Sequence, residues 1–186
     1  KVLRKLIRMK YKISKKLEEV VIIQPDIHYD YRGEYIETWN VENFKIFDHI
    51  VNNGKKIEFK QDDISTSVKH TLRGLHGDNK TWKLVQCLYG SLLQVVVDFR
   101  EDSDTYLEYD MFPLNDKNRN QILIPPGHIN GHLVMSDSAI FSYKQSTLYG
   151  GPGSQFTVKW NDPKLNIPWP IDNPILSLRD KSADTI

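Results

Sequence analysis

The segment RGLHGDNKTWKLV, residues 73–85, sets one histidine between Gly74 and Gly77 and a lysine seven positions further on, inside an apolar run. Histidine titrates near neutrality, so His76 could take a proton from carbon at physiological pH. A lysine beside the reacting centre could stabilise the anion that forms. In an extended chain Lys83 shares a face with Val85 and Cys87, while Leu84, Gln86 and Leu88 take the other. A lysine heading an apolar face is costly unless its ammonium meets a partner or lines a cavity. Each residue also has a plainer reading: a lone histidine is more often structural, and a strand-end lysine can snorkel to water.

The elements that must position these residues read as short strands separated by turn chemistry. VVIIQPD (20–26) is a β-branched run stopped by Pro25, and KIEFKQDDISTS (56–67) alternates at its start. WKLVQCLYGSLLQVVVDFR (82–100) reads as two strands joined by a tight turn at Tyr89-Gly90-Ser91. NQILIPPGHINGHLVM (120–135) pairs an apolar run with a Pro-Pro-Gly break and a second strand; AIFSYKQS (139–146) follows, then a loop at GGPGS (150–154). One short helix fits within YIETWNVENFKIF (35–47). Many short strands at regular spacing predict an all-β sandwich or barrel.

Composition bounds the function. A chain of 186 residues, 39% hydrophobic and 26% charged, suits one globular domain. No stretch approaches a membrane span, and KVLRKLIRMK lacks the apolar centre of a secretory signal. The single cysteine, Cys87, cannot form an internal disulfide and reads as a buried, inert thiol, which suits a reducing cytoplasm. Residues 1–16 hold eight Lys or Arg and no acid, which leaves the rest at −7 under a net charge of +1. This basic segment reads as a solvated extension, a linker remnant or residues upstream of a start at Met9, with the domain running from 17 to 186. An acidic body without a basic stripe argues against nucleic-acid binding.

The chain resembles the dTDP-4-dehydrorhamnose 3,5-epimerase family, enzymes acting on dTDP-4-keto-6-deoxy sugars. The resemblance rests on DYRGEYIET (30–38), FKQDDIS (59–65), LRGLHG (72–77), KLVQCLYG (83–90), ILIPPGHINGHLV (122–134), YKQSTLYGGP (143–152), WNDPKLNIPWP (160–170) and LSLRD (176–180), in family order. It implies a cupin-like jelly roll and a homodimer with exchanged N-terminal strands, in which the two apolar faces of 82–100 are covered by the core and by the partner. It also implies roles. His76 matches the catalytic base, Asp162 in WNDP the carboxylate that holds it, Lys83 the lysine near the sugar's C4 oxygen, and Tyr149 the tyrosine acting on the opposite face. Arg32, Glu37, Gln61, Asp63 and Arg73 fall where family members bind the nucleotide sugar. Read alone, NDP is a turn-forming tripeptide and Asp162 an Asx-turn residue.

The chemistry is consistent with those roles. A 4-keto sugar has acidic C–H bonds at C3 and C5, because the carbanion delocalises onto the carbonyl oxygen. Epimerisation needs a base on one face, a proton donor on the other and a cation beside the enolate, and no cofactor. Two departures stand out: Gly77-Asp78 follow the base with a short loop to Lys83, and Asn130 replaces a family histidine assigned a place near the sugar. His128 and His132 flank Asn130, and either could substitute. Relatives acting on GDP-linked 4-keto heptoses carry a similar segment around the base, so nucleotide and sugar stay open. A cupin metal site would need a His-x-His pair, which neither LHGDN nor HINGH offers, so no metal is expected. Besides epimerisation, the sequence admits a 3,4-ketoisomerase or a non-catalytic sugar-binding sandwich.

Overall fold

The computed structural model describes residues 9–186; the first eight residues of the basic segment lie outside them. Its strands are β1 (Met9–Ile13), β2 (Val21–Pro25), β3 (Ile27–Asp30), β4 (Gly33–Ile36), β5 (Gln61–Val68), β6 (Leu72–Gly77), β7 (Lys83–Tyr89), β8 (Ser91–Asp98), β9 (Tyr109–Asn115), β10 (Gln121–Ile124), β11 (His128–Val134), β12 (Ser138–Gln145) and β13 (Phe156–Thr157). Helices α1 (Val41–Val51) and α2 (Leu178–Lys181) complete the elements used below. A six-stranded sheet, β1-β2-β10-β7-β12-β5, faces a five-stranded sheet, β13-β6-β11-β8-β9, and β3-β4 form a separate hairpin. This is the two-sheet, all-β architecture of a cupin-like jelly roll.

Three apolar layers hold it. Between the sheets lie Val85, Cys87, Leu92, Val96, Phe112 and Phe141, with Leu17 and Val20 closing one end. The outer face of the six-stranded sheet is covered by α1, whose Phe44 and Phe47 pack on Val21, Ile23, Leu84 and Leu123. The outer face of the five-stranded sheet is covered by the C-terminal segment, where Trp160, Leu165, Ile167 and Trp169 meet Leu72, Val95, Val97 and Ile129. Residues 82–100 are therefore not a hairpin with one face left for a partner. The turn at Gly90, with φ of 77°, carries the chain from one sheet to the other, and both outer faces are covered from within the chain.

Other expectations shift as well. Residues 9–13 of the basic segment are not an appendage but edge strand β1, paired antiparallel with β2. The helix expected within 35–47 starts inside that range and runs four residues beyond it, over Val41–Val51, with Asn40 capping it by accepting from the backbone amides of Glu42 and Asn43. Cys87, as expected, is buried; burial pushes its thiol up to about 11, and the thiol donates to the Tyr89 carbonyl.

The local feature that matters most for the site is an irregularity between β6 and β11. Asn130 pairs with His76 and His132 with Arg73, so two residues separate the β6 positions and only one the β11 positions. The extra residue is a bulge. It is accommodated by two glycines: a Cβ on Gly74, whose φ is 126°, would lie 2.5 Å from Gly131 Cα, and one on Gly131 would lie 2.8 Å from the Arg73 carbonyl oxygen. Gly74→Ala should therefore lower stability by about 2–4 kcal/mol. Gly153→Ala, where the new methyl group meets nothing within 4 Å, should be nearly neutral. Urea unfolding of the two variants checks this, and equal midpoints would contradict it.

Candidate active site

A cavity of about 380 Å³ opens between the two sheets. Its walls come from Lys83 and Val85 of β7 and Phe141, Tyr143 and Gln145 of β12 on one side, and from Arg73, His76 and Asn130–His132 on the other. Tyr149, Pro152 and Gln155 of the 149–155 loop and Ser177, Arg179 and Asp180 at α2 border its mouth. The bulge explains why Arg73 and His76 both reach it: three positions apart on a regular strand, they would point to opposite faces.

His76 Nε2 lies 2.6 Å from Asp180 Oδ1. The carboxylate is 2% exposed, and α2 presents it through a Ser-x-x-Asp cap in which Ser177 Oγ accepts from the Asp180 amide. Burial by itself would raise the Asp180 carboxyl, but the hydrogen bond and charge of His76, with help from Ser177 and the Gly74 amide, hold it below the usual carboxylate range. An ionised carboxylate on Nε2 fixes the tautomer and leaves Nδ1 as the free basic nitrogen.

The expected partner, Asp162, is elsewhere. Its Oδ1 accepts from the amides of Lys164 and Leu165 at 2.8 and 3.3 Å, and its Oδ2 accepts from the Ile186 amide at 2.7 Å. This is an Asx turn that also anchors the C-terminus, and it does not border the cavity. Asp180 takes the place beside His76 because α2 folds back against β6. Its sequence signal was the capping pattern in LSLRD.

Lys83 heads the apolar face of β7 and borders the cavity at 8% exposure. Burial, opposed by Asp78 and reinforced by Arg179, lowers its ammonium to about 8. Tyr149 stands at the mouth, 48% exposed, its backbone amide donating to Gln61 Oε1 at 2.8 Å. Tyr143, half-buried, adds a second phenol that the sequence reading did not single out. Asn130 Nδ2 donates to the His76 carbonyl at 3.0 Å.

The remaining candidates divide. Arg73 borders the cavity, with its Nε donating to Ser67 Oγ at 3.0 Å. Gln61 and Asp63 do not, but they brace its wall, since Asp63 Oδ2 accepts from Gln61 and Gln145. Arg32 and Glu37 are not part of this chain's cavity. Arg32 lies near the tip of the β3–β4 hairpin on Asp30, and Glu37 accepts from Asn40 and Asn43 at the start of α1. Arg179, held by Thr157 at 2.6 Å, is a cation at the mouth that sequence reasoning missed. Among the described residues, no three His, Cys, Asp or Glu side chains are placed to hold a metal ion, and no helix is long and apolar enough to cross a membrane.

The chain is thus a two-sheet, cupin-like jelly roll whose interior cavity is lined by a histidine–carboxylate pair, a buried lysine and two phenols. The dTDP-4-dehydrorhamnose 3,5-epimerase family model matches residues 14–186, and the chain belongs to that isomerase family. It is 37% identical over 175 residues to the dTDP-4-dehydrorhamnose 3,5-epimerase of Methanothermobacter thermautotrophicus, covering 91% of each chain. Among solved structures it is similar to the Legionella pneumophila dTDP-6-deoxy-D-glucose-3,5-epimerase in complex with dTDP-4-keto-L-rhamnose, with a TM-score of 0.86, 33% identity and coverage of 95% and 92%. It is also similar to ChmJ, a 3'-monoepimerase from Streptomyces bikiniensis in complex with dTDP-quinovose, with a TM-score of 0.85, 29% identity and coverage of 94% and 87%.

The buried lysine yields a stability prediction. Burial holds its folded pKa near 8, below the 10.5 of a solvated lysine. Below pH 8 it is charged in both states and the folded state bears the full burial penalty. From pH 8 to 10.5 the unfolded state binds the extra proton, so stability rises with pH. Lys83→Met should be more stable than wild type at pH 7, by on the order of 2–3 kcal/mol, with the gap closing towards pH 10.5. Denaturant unfolding at both pH values measures it.

Proposed function

We propose that the protein inverts C3, C5 or both in a nucleotide-linked 4-keto-6-deoxy sugar, through an enolate and without a cofactor. The observation that carries this reading is the 2.6 Å contact between His76 and Asp180 at a cavity that also holds Lys83. His76 takes the proton from carbon, and Asp180 orients the ring and stabilises the imidazolium. The Lys83 ammonium faces the developing charge on the C4 oxygen, and its burial strengthens that interaction. Tyr149 returns a proton from the other face. A lysine near pH 8 serves only while protonated, so turnover should fall above that pH.

Arg73 and Arg179 are the cations suited to the diphosphate. The dTDP-sugar complexes of the similar structures favour a dTDP-linked substrate, with a GDP-linked sugar as the second candidate. The exposed β3–β4 hairpin, carrying Arg32 and Tyr29, Tyr31 and Tyr35, suits a homodimer in which it reaches a partner's cavity. Light scattering at micromolar concentration tests that reading, and a monomer would count against it. Asn130 cannot titrate, which favours unequal exchange at the two carbons, and a 3'-monoepimerase on the same fold shows that such restriction is compatible with it.

Incubation with NDP-4-keto sugars in deuterated water discriminates the readings. Deuterium at C3 or C5 is expected for an epimerase; a ketoisomerase moves the carbonyl to C3, and a sugar-binding sandwich incorporates none. His76→Asn should abolish exchange, and Asp180→Asn should lower it about 10²-fold or more. Asp162→Asn should reduce stability while leaving exchange per folded molecule near wild type. Loss of exchange in a fully folded Asp162→Asn variant would reverse the assignment of the two carboxylates.

A further inference from the structure

The reaction above makes no use of one buried imidazole beside the cavity. His132 stands on β11 opposite Gln94 of β8, and its ring stacks on Phe141 of the facing sheet with centroids 4.1 Å apart and planes at 29°. The residue is 4% exposed and borders the cavity, and its Nε2 is buried with no hydrogen-bond partner among the described residues. Burial lowers the ring to about 3, the Arg73 and His76 charges add to this, and Asp180 opposes it. The imidazole is therefore neutral throughout the physiological range.

A phenyl ring would fill the same slot and stack on Phe141 with no polar atom unpaired, so packing alone does not account for histidine here. A neutral imidazole offers one N–H donor and one acceptor nitrogen. Three polar residues of the same sheet beside it already hold protein partners: Arg73 Nε donates to Ser67, His76 pairs with Asp180, and Asn130 donates to the His76 carbonyl. The ligand group with a matching uncharged donor and acceptor is a hydroxyl. We propose that His132 is a specificity-determining residue that hydrogen-bonds a hydroxyl of the bound sugar. This rests on the nucleotide-sugar reading above. It assigns recognition of the nucleotide to other residues, so His132 should affect only what the sugar adds to binding.

The test compares wild type with His132→Phe by calorimetric titration at pH 7.5. The probes are dTDP against dTDP-L-rhamnose, and GDP against GDP-L-fucose. The variant should melt at or above the wild-type temperature and bind the free nucleotide equally well. The affinity added by the sugar should fall about tenfold. In ¹⁵N-histidine spectra of the wild type, a His132 ring nitrogen should shift with the nucleotide sugar and not with the nucleotide alone. This measurement decides the matter if the variant fails to fold. An unchanged sugar increment with an unshifted His132 resonance overturns the proposal and makes the ring inert core. A wild type that binds no nucleotide or nucleotide sugar overturns the substrate reading itself.

Discussion

Gly74 and Gly131 let two strands approach more closely than any side chain allows, and the chemistry of the cavity depends on that approach. A Cβ at either position would meet the opposing backbone at less than 3.0 Å, so neither could be replaced without moving β6 away from β11. Because the strands stay together across an extra β6 residue, Arg73 and His76 emerge on the same face of the sheet. An uninterrupted ladder would have sent one of them into the outer core, among Leu72, Leu75 and Trp160. The bulge is thus the step at which an ordinary sandwich brings a histidine and an arginine into one cavity.

Around this bulge the interior divides by polarity. Towards one end Leu92, Val96, Phe112 and Leu114 form a dry core. Towards the other, Lys83, His132 and Asp180 are nearly as buried but polar. Such groups reduce stability unless paired, and among the described residues Asp180 is the one of the three with a side-chain partner, His76. Lys83 and His132 are held where the fold would be more stable with apolar residues. That is the pattern of a site whose partners arrive with the ligand.

Much of this was legible locally. The strand runs, the turn at Gly90 and the shared face of Lys83 and Val85 follow from alternation and turn chemistry, which depend on near neighbours in sequence. What covers an outer face does not. Leu84 meets α1 and Val95 meets the C-terminal segment, contacts that neither strand's sequence encodes. The same limit explains the carboxylates. Asp162 and Asp180 both head turn or cap motifs, and only the return of α2 to β6 decides which one reaches His76. Arg32 and Glu37 matched family motifs, yet in a single chain they serve a hairpin and a helix cap.

The C-terminal segment then links stability to reactivity. Trp160, Leu165, Ile167 and Trp169 bury the outer face of the five-stranded sheet, and Asp162 pins the Ile186 amide to the same layer. Within this segment, the Leu72 amide donates to the Ile175 carbonyl and the Ile175 amide to the His70 carbonyl, which docks the chain at the start of β6 just before α2 begins. Asp180 therefore reaches His76 from a platform fixed at both ends by main-chain contacts and apolar burial. A carboxylate on a free loop would have to be ordered at each turnover. Here that ordering is completed when the chain folds, because the carboxylate and the main-chain contacts that dock α2 are part of the fold itself.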